Sequence, residues 1–247
     1  MKVLGIDIGG SAFKGAPVDT KTGQLLAERL RVEIDAPCPR AQGLAAAKTI
    51  VDHFKWKGPV GIGFPGVILG PKIGAVGNLG EVWVGQDGHE LFSQATGCDV
   101  GLANDADAAG LAEVRFGAGK GEMGSVLMLT FGTGIGSALF YRGHLMPNLE
   151  LGHIPWKRGQ PIERYASAAV KDRLDLSWKE WAERVNVFLE VAERLCSPEL
   201  IIVGGGVSKK SEKWLKFIRT NAKIVPALMS NDAGIVGAAL AGREADR

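Results

Sequence analysis

Asn104-Asp105 stands where an apolar run, residues 100–103, meets a helix-like stretch reaching about residue 116. Both residue types favour helix N-caps, and that is one reading. In the other, Asp105 is a general base that accepts the proton of an attacking hydroxyl, while Asn104 hydrogen-bonds a neighbouring hydroxyl. Phosphoryl transfer asks mainly for positioning and charge neutralisation, so one carboxylate and a Mg²⁺ ion form a sufficient set. A second polar cluster is Glu150-Leu151-Gly152-His153. As metal ligands, Glu150 and His153 lack a third and fourth partner nearby, and HExxH is absent. Hydrogen bonding to the vicinal hydroxyls of a polyol suits a carboxylate and an imidazole better, with Glu163 as a further acceptor. Trp83 and Trp156 have aromatic faces that can stack on a sugar, but core packing is the commoner use of a tryptophan.

Three Gly-rich turns each follow an apolar run: Gly9-Gly10-Ser11, then Thr130-Phe131-Gly132-Thr133-Gly134-Ile135-Gly136, then Gly204-Gly205-Gly206. Glycine lets main-chain N–H groups come close to an anion, so each can cradle phosphate; each can also be a plain tight turn. None is a P-loop, since GxxxxGK[ST] is absent. Asp7 ends the first run. Beside a phosphate-holding turn it can hold Mg²⁺, directly or through water, or it can cap the turn. Lys14 can neutralise phosphate charge or be solvated.

The elements that must position these residues follow from pattern. Residues 3–8 and 12–19 read as strands joined at the first Gly turn, and 24–32 as a third strand, giving a meander. Residues 41–56 read as a helix, 60–64 as a strand stopped by Pro65-Gly66, and 70–88 as a long Gly-rich loop. The second half repeats the theme: strand 125–130, Gly-rich turn, strand 137–141. Residues 177–197 are the clearest helix. Ser177-Trp178-Lys179-Glu180 fits a capping box, and Trp178, Trp181, Val185, Phe188, Ala192 and Leu195 fall on one face. Residues 200–203 read as a buried strand and 233–241 as a small-residue helix.

Composition bounds the rest. With 46% apolar and 23% charged residues, the chain is globular, and its net charge of +2 is too small to imply nucleic acid. No apolar run reaches the roughly 18 residues of a membrane span, and the N-terminus does not read as a signal peptide. Cys38, Cys98 and Cys196 are far apart and form no CxxC pair, which fits a cytoplasmic protein without a disulfide framework. Two stretches are basic: residues 157–173 carry five basic and two acidic residues, and 209–223 carry six and one. Either can steer a polyanion or be a solvated surface.

Taken together, Asp7-Ile8-Gly9-Gly10-Ser11 with Lys14, Gly63-Phe64-Pro65-Gly66, Asn104-Asp105-Ala106-Asp107, the 132–136 turn, Glu150-Leu151-Gly152-His153 and Gly204-Gly205-Gly206-Val207-Ser208 resemble the ROK family of sugar kinases and repressors. The resemblance implies an α/β protein of the actin-like ATPase (ribonuclease H-like) fold, with two lobes around a cleft. Residues 1–107 with the C-terminal helix 234–247 would form the small lobe, and 108–233 the large one. It implies that Asp105 activates the sugar 6-hydroxyl, and that Gly66, Asn78, Asn104, Glu150, His153 and Glu163 bind the sugar. Asp7, Gly9, Gly10, Ser11, Lys14, Thr130, Gly132, Thr133 and Gly134 would hold donor phosphates, with Mg²⁺ placed by Asp7. Gly204, Gly205 and Gly206 would border an adenosine site. A homodimer is the family's expected assembly.

One departure is informative. Most members carry a Cys-rich zinc motif, CxCGxxGC, after the Glu-x-Gly-His segment; here no Cys lies between Cys98 and Cys196, so no structural zinc is expected. The branch resembling polyphosphate glucokinases also lacks it. That branch is further matched by Glu163-Arg164-Tyr165-Ala166-Ser167-Ala168-Ala169-Val170-Lys171-Asp172-Arg173, by Asp175-Leu176-Ser177-Trp178-Lys179-Glu180-Trp181 and by Gly234-Ile235-Val236-Gly237-Ala238-Ala239. The resemblance thus implies glucose as acceptor and inorganic polyphosphate, ATP or both as donor. An ATP-only hexokinase, a kinase of another hexose such as mannose, and a non-catalytic sugar sensor are the alternatives. Repressor members begin with a helix-turn-helix, whereas this chain begins at its first strand.

Overall fold

The computed structural model describes residues 1–77 and 79–244. The chain forms two compact units, Met1–Ala112 joined by the segment from Asp232 onward, and Glu113–Asn231.

In the first unit, β1 (Lys2–Ile8) and β2 (Ala12–Asp19) pair antiparallel across the Gly9-Gly10-Ser11 turn, and the Gly9 N–H donates to the Ala12 carbonyl at 3.0 Å. The third strand expected over 24–32 is instead two short ones, β3 (Gln24–Leu25) and β4 (Leu30–Glu33), both on β2. The break falls opposite Ala16 and Pro17, because Pro17 has no N–H to give to a ladder. Helix α1 (Arg40–His53) leads to β5 (Val60–Phe64). The expected long loop over 70–88 is partly regular: β6 (Gly66–Leu69) pairs with β7 (Lys72–Val76), and a 3₁₀ turn, Glu81–Trp83, follows. Glycines obscured the alternation there. Helix α2 (Gly88–Thr96), β8 (Val100–Asn104) and α3 (Asp105–Phe116) come next. The main sheet runs β3-β2-β1-β5-β8, with β1, β5 and β8 parallel. Trp83 is fully buried in its core, stacked on Phe92, and its indole N–H donates to the Cys38 carbonyl, so it packs and does not present a face to ligand.

The second unit repeats this plan. β9 (Ser125–Phe131) and β10 (Ile135–Tyr141) form the hairpin, extended by β11 (His144–Met146). Short helices α4 (Glu163–Ala166) and α5 (Ala168–Arg173) precede α6 (Trp178–Cys196), whose predicted capping box is present in full. β12 (Leu200–Gly205) lies parallel to β9 and β13 (Lys223–Pro226), giving the order β11-β10-β9-β12-β13. Phe131, Trp181, Phe188 and Trp214 interlock edge-to-face in its core. Glu113 is fully buried, yet it accepts main-chain N–H bonds from Ala118, Leu228 and Met229.

The chain then returns as α7 (Ala233–Glu244), which packs on β1, β5 and β8 of the first unit. It lies so close that Gly5 faces the Ile235 carbonyl and Gly61 faces the Ala238 carbonyl with no room for a methyl group on either glycine. Gly61→Ala should therefore cost about 2–3 kcal/mol, the upper range for overpacking, because helix backbone is the atom that must move. Urea unfolding checks this; a change under ~0.5 kcal/mol, the ordinary scatter of harmless substitutions, would refute the tight contact.

Candidate active site

The first unit holds one of the three Gly-rich turns and the second unit two, each unit with its own polar residues nearby. In the first unit, β1–β2 pairing puts Asp7 opposite Lys14, and Lys14 Nζ lies 3.8 Å from Asp7 Oδ2. About a fifth of the Asp7 side chain is accessible (21%). Burial pushes its carboxyl up, opposed by the charges of Lys14 and Arg29. Arg29 in turn bonds Asp232, just before α7, at 3.1 Å. Gly234, in the first turn of α7, covers Asp7: a Cβ there would lie 2.7 Å from the carboxyl carbon. In the sequence Gly234 stands only as part of the Gly234–Ala239 branch motif, which gives no sign of its place over Asp7.

Asn104 is buried and performs the capping role. Its Oδ1 accepts from the N–H groups of Ala106 and Asp107 at 2.8 and 3.1 Å, and its Nδ2 donates to the Gly66 carbonyl at 3.1 Å. Gly66 and Asn104 are thus brought together, joining the β6 hairpin to the start of α3. Because Asn104 caps the helix, Asp105 occupies its first turn, half-buried, with Oδ1 accepting from the Ala106 N–H at 2.9 Å. Gly9, Gly10 and Ser11 form the turn beyond Asp7. Asn78 lies outside the described residues.

In the second unit, Glu150, His153 and Glu163 come together although Glu163 is 13 and 10 residues away along the chain. His153 Nδ1 is 3.4 Å from Glu150 Oε2, and its Nε2 is 3.7 Å from Glu163 Oε1. The imidazole is half exposed while the carboxylates are more enclosed. Glu163 also accepts the Ile135 N–H at 3.0 Å and seats against Gly134 and Gly152, so it anchors the phosphate-type turn to the polar cluster. α4 holds Glu163 because the buried Trp181 donates its indole N–H to the Ala166 carbonyl at 3.0 Å. Buried Ser137 fixes Glu150 from both sides, donating to the Leu149 carbonyl and accepting the Leu151 N–H. Ser137 was not singled out from sequence; a hydroxyl inside an otherwise apolar strand was its signal.

Thr130, Gly132, Thr133 and Gly134 lie at the end of β9, where the Gly132 N–H closes on the Gly134 carbonyl and the Gly132 carbonyl accepts from Ala169 of α5. β12 runs beside β9 with Gly204 opposite Thr130 and Gly205 opposite Phe131, so the Gly204-Gly205-Gly206 turn leaves the same end of the sheet. Gly205 has φ 81° and faces the Phe131 main chain, which only glycine tolerates. The basic stretch 157–173 is less available than its charge suggests: the Lys171 side chain is mostly buried, over the Trp178 ring at 4.5 Å. Trp156 is half-buried and tilts against Tyr165.

Against known proteins, the ROK family model matches residues 3–163. The polyphosphate glucokinase of Mycobacterium tuberculosis is 43% identical over 242 residues, covering 96% of this chain and 90% of that one. The chain belongs to the ROK family. The crystal structure of the inorganic polyphosphate/ATP-glucomannokinase from Arthrobacter sp. strain KM is 42% identical, with a TM-score of 0.93 over 99% of both chains. A ROK family glucokinase from Streptomyces griseus, solved with glucose and AMPPNP, shares the fold at 24% identity, with a TM-score of 0.81 over 99% of this chain and 100% of its own. The actin-like ATPase fold of ROK sugar kinases is therefore the fold of this chain. Among the described residues no helix is long and apolar enough to cross a membrane, and no group of three or more His, Cys, Asp or Glu side chains is arranged to hold a metal ion.

Burial holds the Glu150 carboxyl above the usual carboxylate range; His153 opposes this and Glu163 adds to it. A carboxyl raised on folding favours the folded state below its ordinary range, and that contribution is lost as pH rises through the raised value. Glu150→Gln should accordingly raise Tm at neutral pH and leave it unchanged near about pH 4, where both forms are largely neutral. A lowered Tm at neutral pH would mean that pairing with His153 outweighs burial.

Proposed function

We propose that this ROK protein is a polyphosphate glucokinase that moves the terminal phosphoryl group of inorganic polyphosphate to the 6-hydroxyl of glucose. The observation that carries this reading is the 42–43% identity, over nearly the whole chain, to enzymes named for that chemistry. The residues described in each unit include groups suited to it. Asp105, oriented by the Asn104 cap, takes the proton of the 6-hydroxyl as its oxygen attacks phosphorus. The bond between that phosphorus and the bridging oxygen breaks, and the donor leaves one phosphoryl group shorter. Glu150, His153 and Glu163 present two acceptors and an imidazole to vicinal hydroxyls. Main-chain N–H groups of the turns at Gly9-Gly10-Ser11 and 132–136 suit donor oxygens, and Lys14 offsets their charge.

Asp7 is a single, partly accessible carboxylate, and with phosphate oxygens as the other ligands it would hold a Mg²⁺ ion that keeps most of its waters, with Lys14 turning from Asp7 to the phosphates. Such an ion would neutralise charge on the transferred group. ATP and mannose are proposed as further substrates on the strength of the Arthrobacter enzyme's name. We infer a cytoplasmic homodimer as the working form.

Glucose 6-phosphate formation with polyphosphate, and with ATP at matched phosphoryl concentration, tests the reading. Turnover should occur with polyphosphate. Asp105→Ala should lower kcat by about 10²–10⁴, with Tm and the glucose KM nearly unchanged. Turnover with ATP alone would remove polyphosphate as donor. A folded Asp105→Ala protein of near-normal kcat would remove Asp105 as base.

A further inference from the structure

The basic stretch 209–223 is sorted by the fold into committed and uncommitted cations. Arg219 is bound to Glu183 by two hydrogen bonds of 3.1 and 2.6 Å. Lys216 lies over the Phe217 ring, 5.2 Å from its centroid. Lys223 pairs with Leu200 at the start of β12, whereas the Gly204-Gly205-Gly206 turn is at its end. At about 3.3 Å per residue, that separates them by roughly 13–17 Å.

Lys209, Lys210 and Lys213 differ. All three are exposed on the 3₁₀ segment Gly206–Lys213, which starts where β12 ends. Among the described residues none has a carboxylate within ion-pair distance, and the segment's own Glu212 pairs with none of them. Nor is the segment a loose loop. Val207 and Ser208 are buried, Ser208 Oγ donates to the Gly205 carbonyl at 2.8 Å, and the buried Trp214 donates to the Val207 carbonyl at 3.2 Å. Like charges held close together on a fixed base repel one another, and nothing in the fold uses them.

Their location gives them a use. Gly205 lies opposite Phe131 in adjacent parallel strands, so this segment and the 132–136 turn leave one sheet end about one strand spacing, ~4.8 Å, apart. We propose that Lys209, Lys210 and Lys213 form a distal subsite for the donor, taking phosphate groups of a polyphosphate chain beyond those held at the 132–136 turn. The inference rests on the reading of the chain as a polyphosphate-using kinase. Once its reacting end is held, a long polyphosphate chain has phosphate groups to spare for this subsite, which a donor of three phosphoryl groups has not. The subsite therefore selects for donor length while leaving the chemical step unchanged.

The test is steady-state glucose 6-phosphate formation by the full chain and by a Lys209→Gln/Lys210→Gln/Lys213→Gln variant, using long-chain polyphosphate, tripolyphosphate and ATP in turn. Loss of three exposed charge contacts should raise KM for long-chain polyphosphate about tenfold and flatten its salt dependence. KM for tripolyphosphate and glucose, and kcat, should stay within about twofold, and a triple Lys→Arg variant should restore the long-chain KM. An unchanged long-chain KM, or an equal rise for every donor, overturns the subsite while leaving the kinase assignment standing. A wild-type protein that turns over ATP but no polyphosphate overturns the assignment itself and the subsite with it.

Discussion

The contact of α7 with the first sheet, main chain against main chain, is the constraint on which the first unit depends. Helices usually stand off a sheet by the depth of two layers of side chains. Here Gly5 and Gly61 on the strands, and Gly242 on the helix, remove that layer where the two surfaces cross, while Gly237 does the same against Ala108 of α3. The close seat brings Gly234 over the carboxyl group of Asp7 and keeps that group partly out of water. Lys14, opposite Asp7 in the hairpin, and Arg29, tied to Asp232, then offset the cost of a buried negative charge. A change that pushed α7 outward would thus reach the fold and the electrostatics of Asp7 together.

The second unit solves a similar problem with aromatic packing. Its hairpin and parallel neighbour repeat the plan of the first, but α6 is large-faced, and Trp181 and Trp214 fill the space that glycine removes elsewhere. The indole N–H of Trp181 needs an acceptor once buried, and it finds the carbonyls ending α4. That bond settles where Glu163 stands. Glu163 then binds the turn after β9 and meets His153, so core packing is transmitted to a polar cluster through one short helix. Without Cys-rich metal ligation, His153 stands between two carboxylates, Glu150 and Glu163.

Charge is divided between the units' polar features in a way that suits their proposed tasks. Carboxylates flank the imidazole, where neutral hydroxyls would be bound, and their mutual repulsion is relieved by His153. Cations border the turns, where anions would lie. The cations the fold needs for itself, such as Arg219 and Lys171, are already engaged by Glu183 and by Trp178.

The sequence by itself determined the local grammar. Apolar runs followed by glycine turns announced β1, β9 and β12; Ser177 and Glu180 announced α6; and Asn104-Asp105 announced the start of α3, because strand termini, caps and turns depend on residues close along the chain. It also determined the motif set that marks the ROK family. What it did not reveal was long-range. Pro17 breaking the third strand, β7 within the glycine-rich stretch, Ser137 fixing Glu150, and Gly234 seated on Asp7 each depend on a partner strand or helix that a local pattern does not contain. Only the tertiary structure showed which of the pair caps the helix: Asn104 takes the bonds from the Ala106 and Asp107 N–H groups, and Asp105 stands in the first helical turn, accepting from the Ala106 N–H. Only the tertiary structure, too, separated the basic residues that balance charge inside the fold from the three lysines that do not, because net charge along a chain carries no record of which carboxylate folds back to meet it.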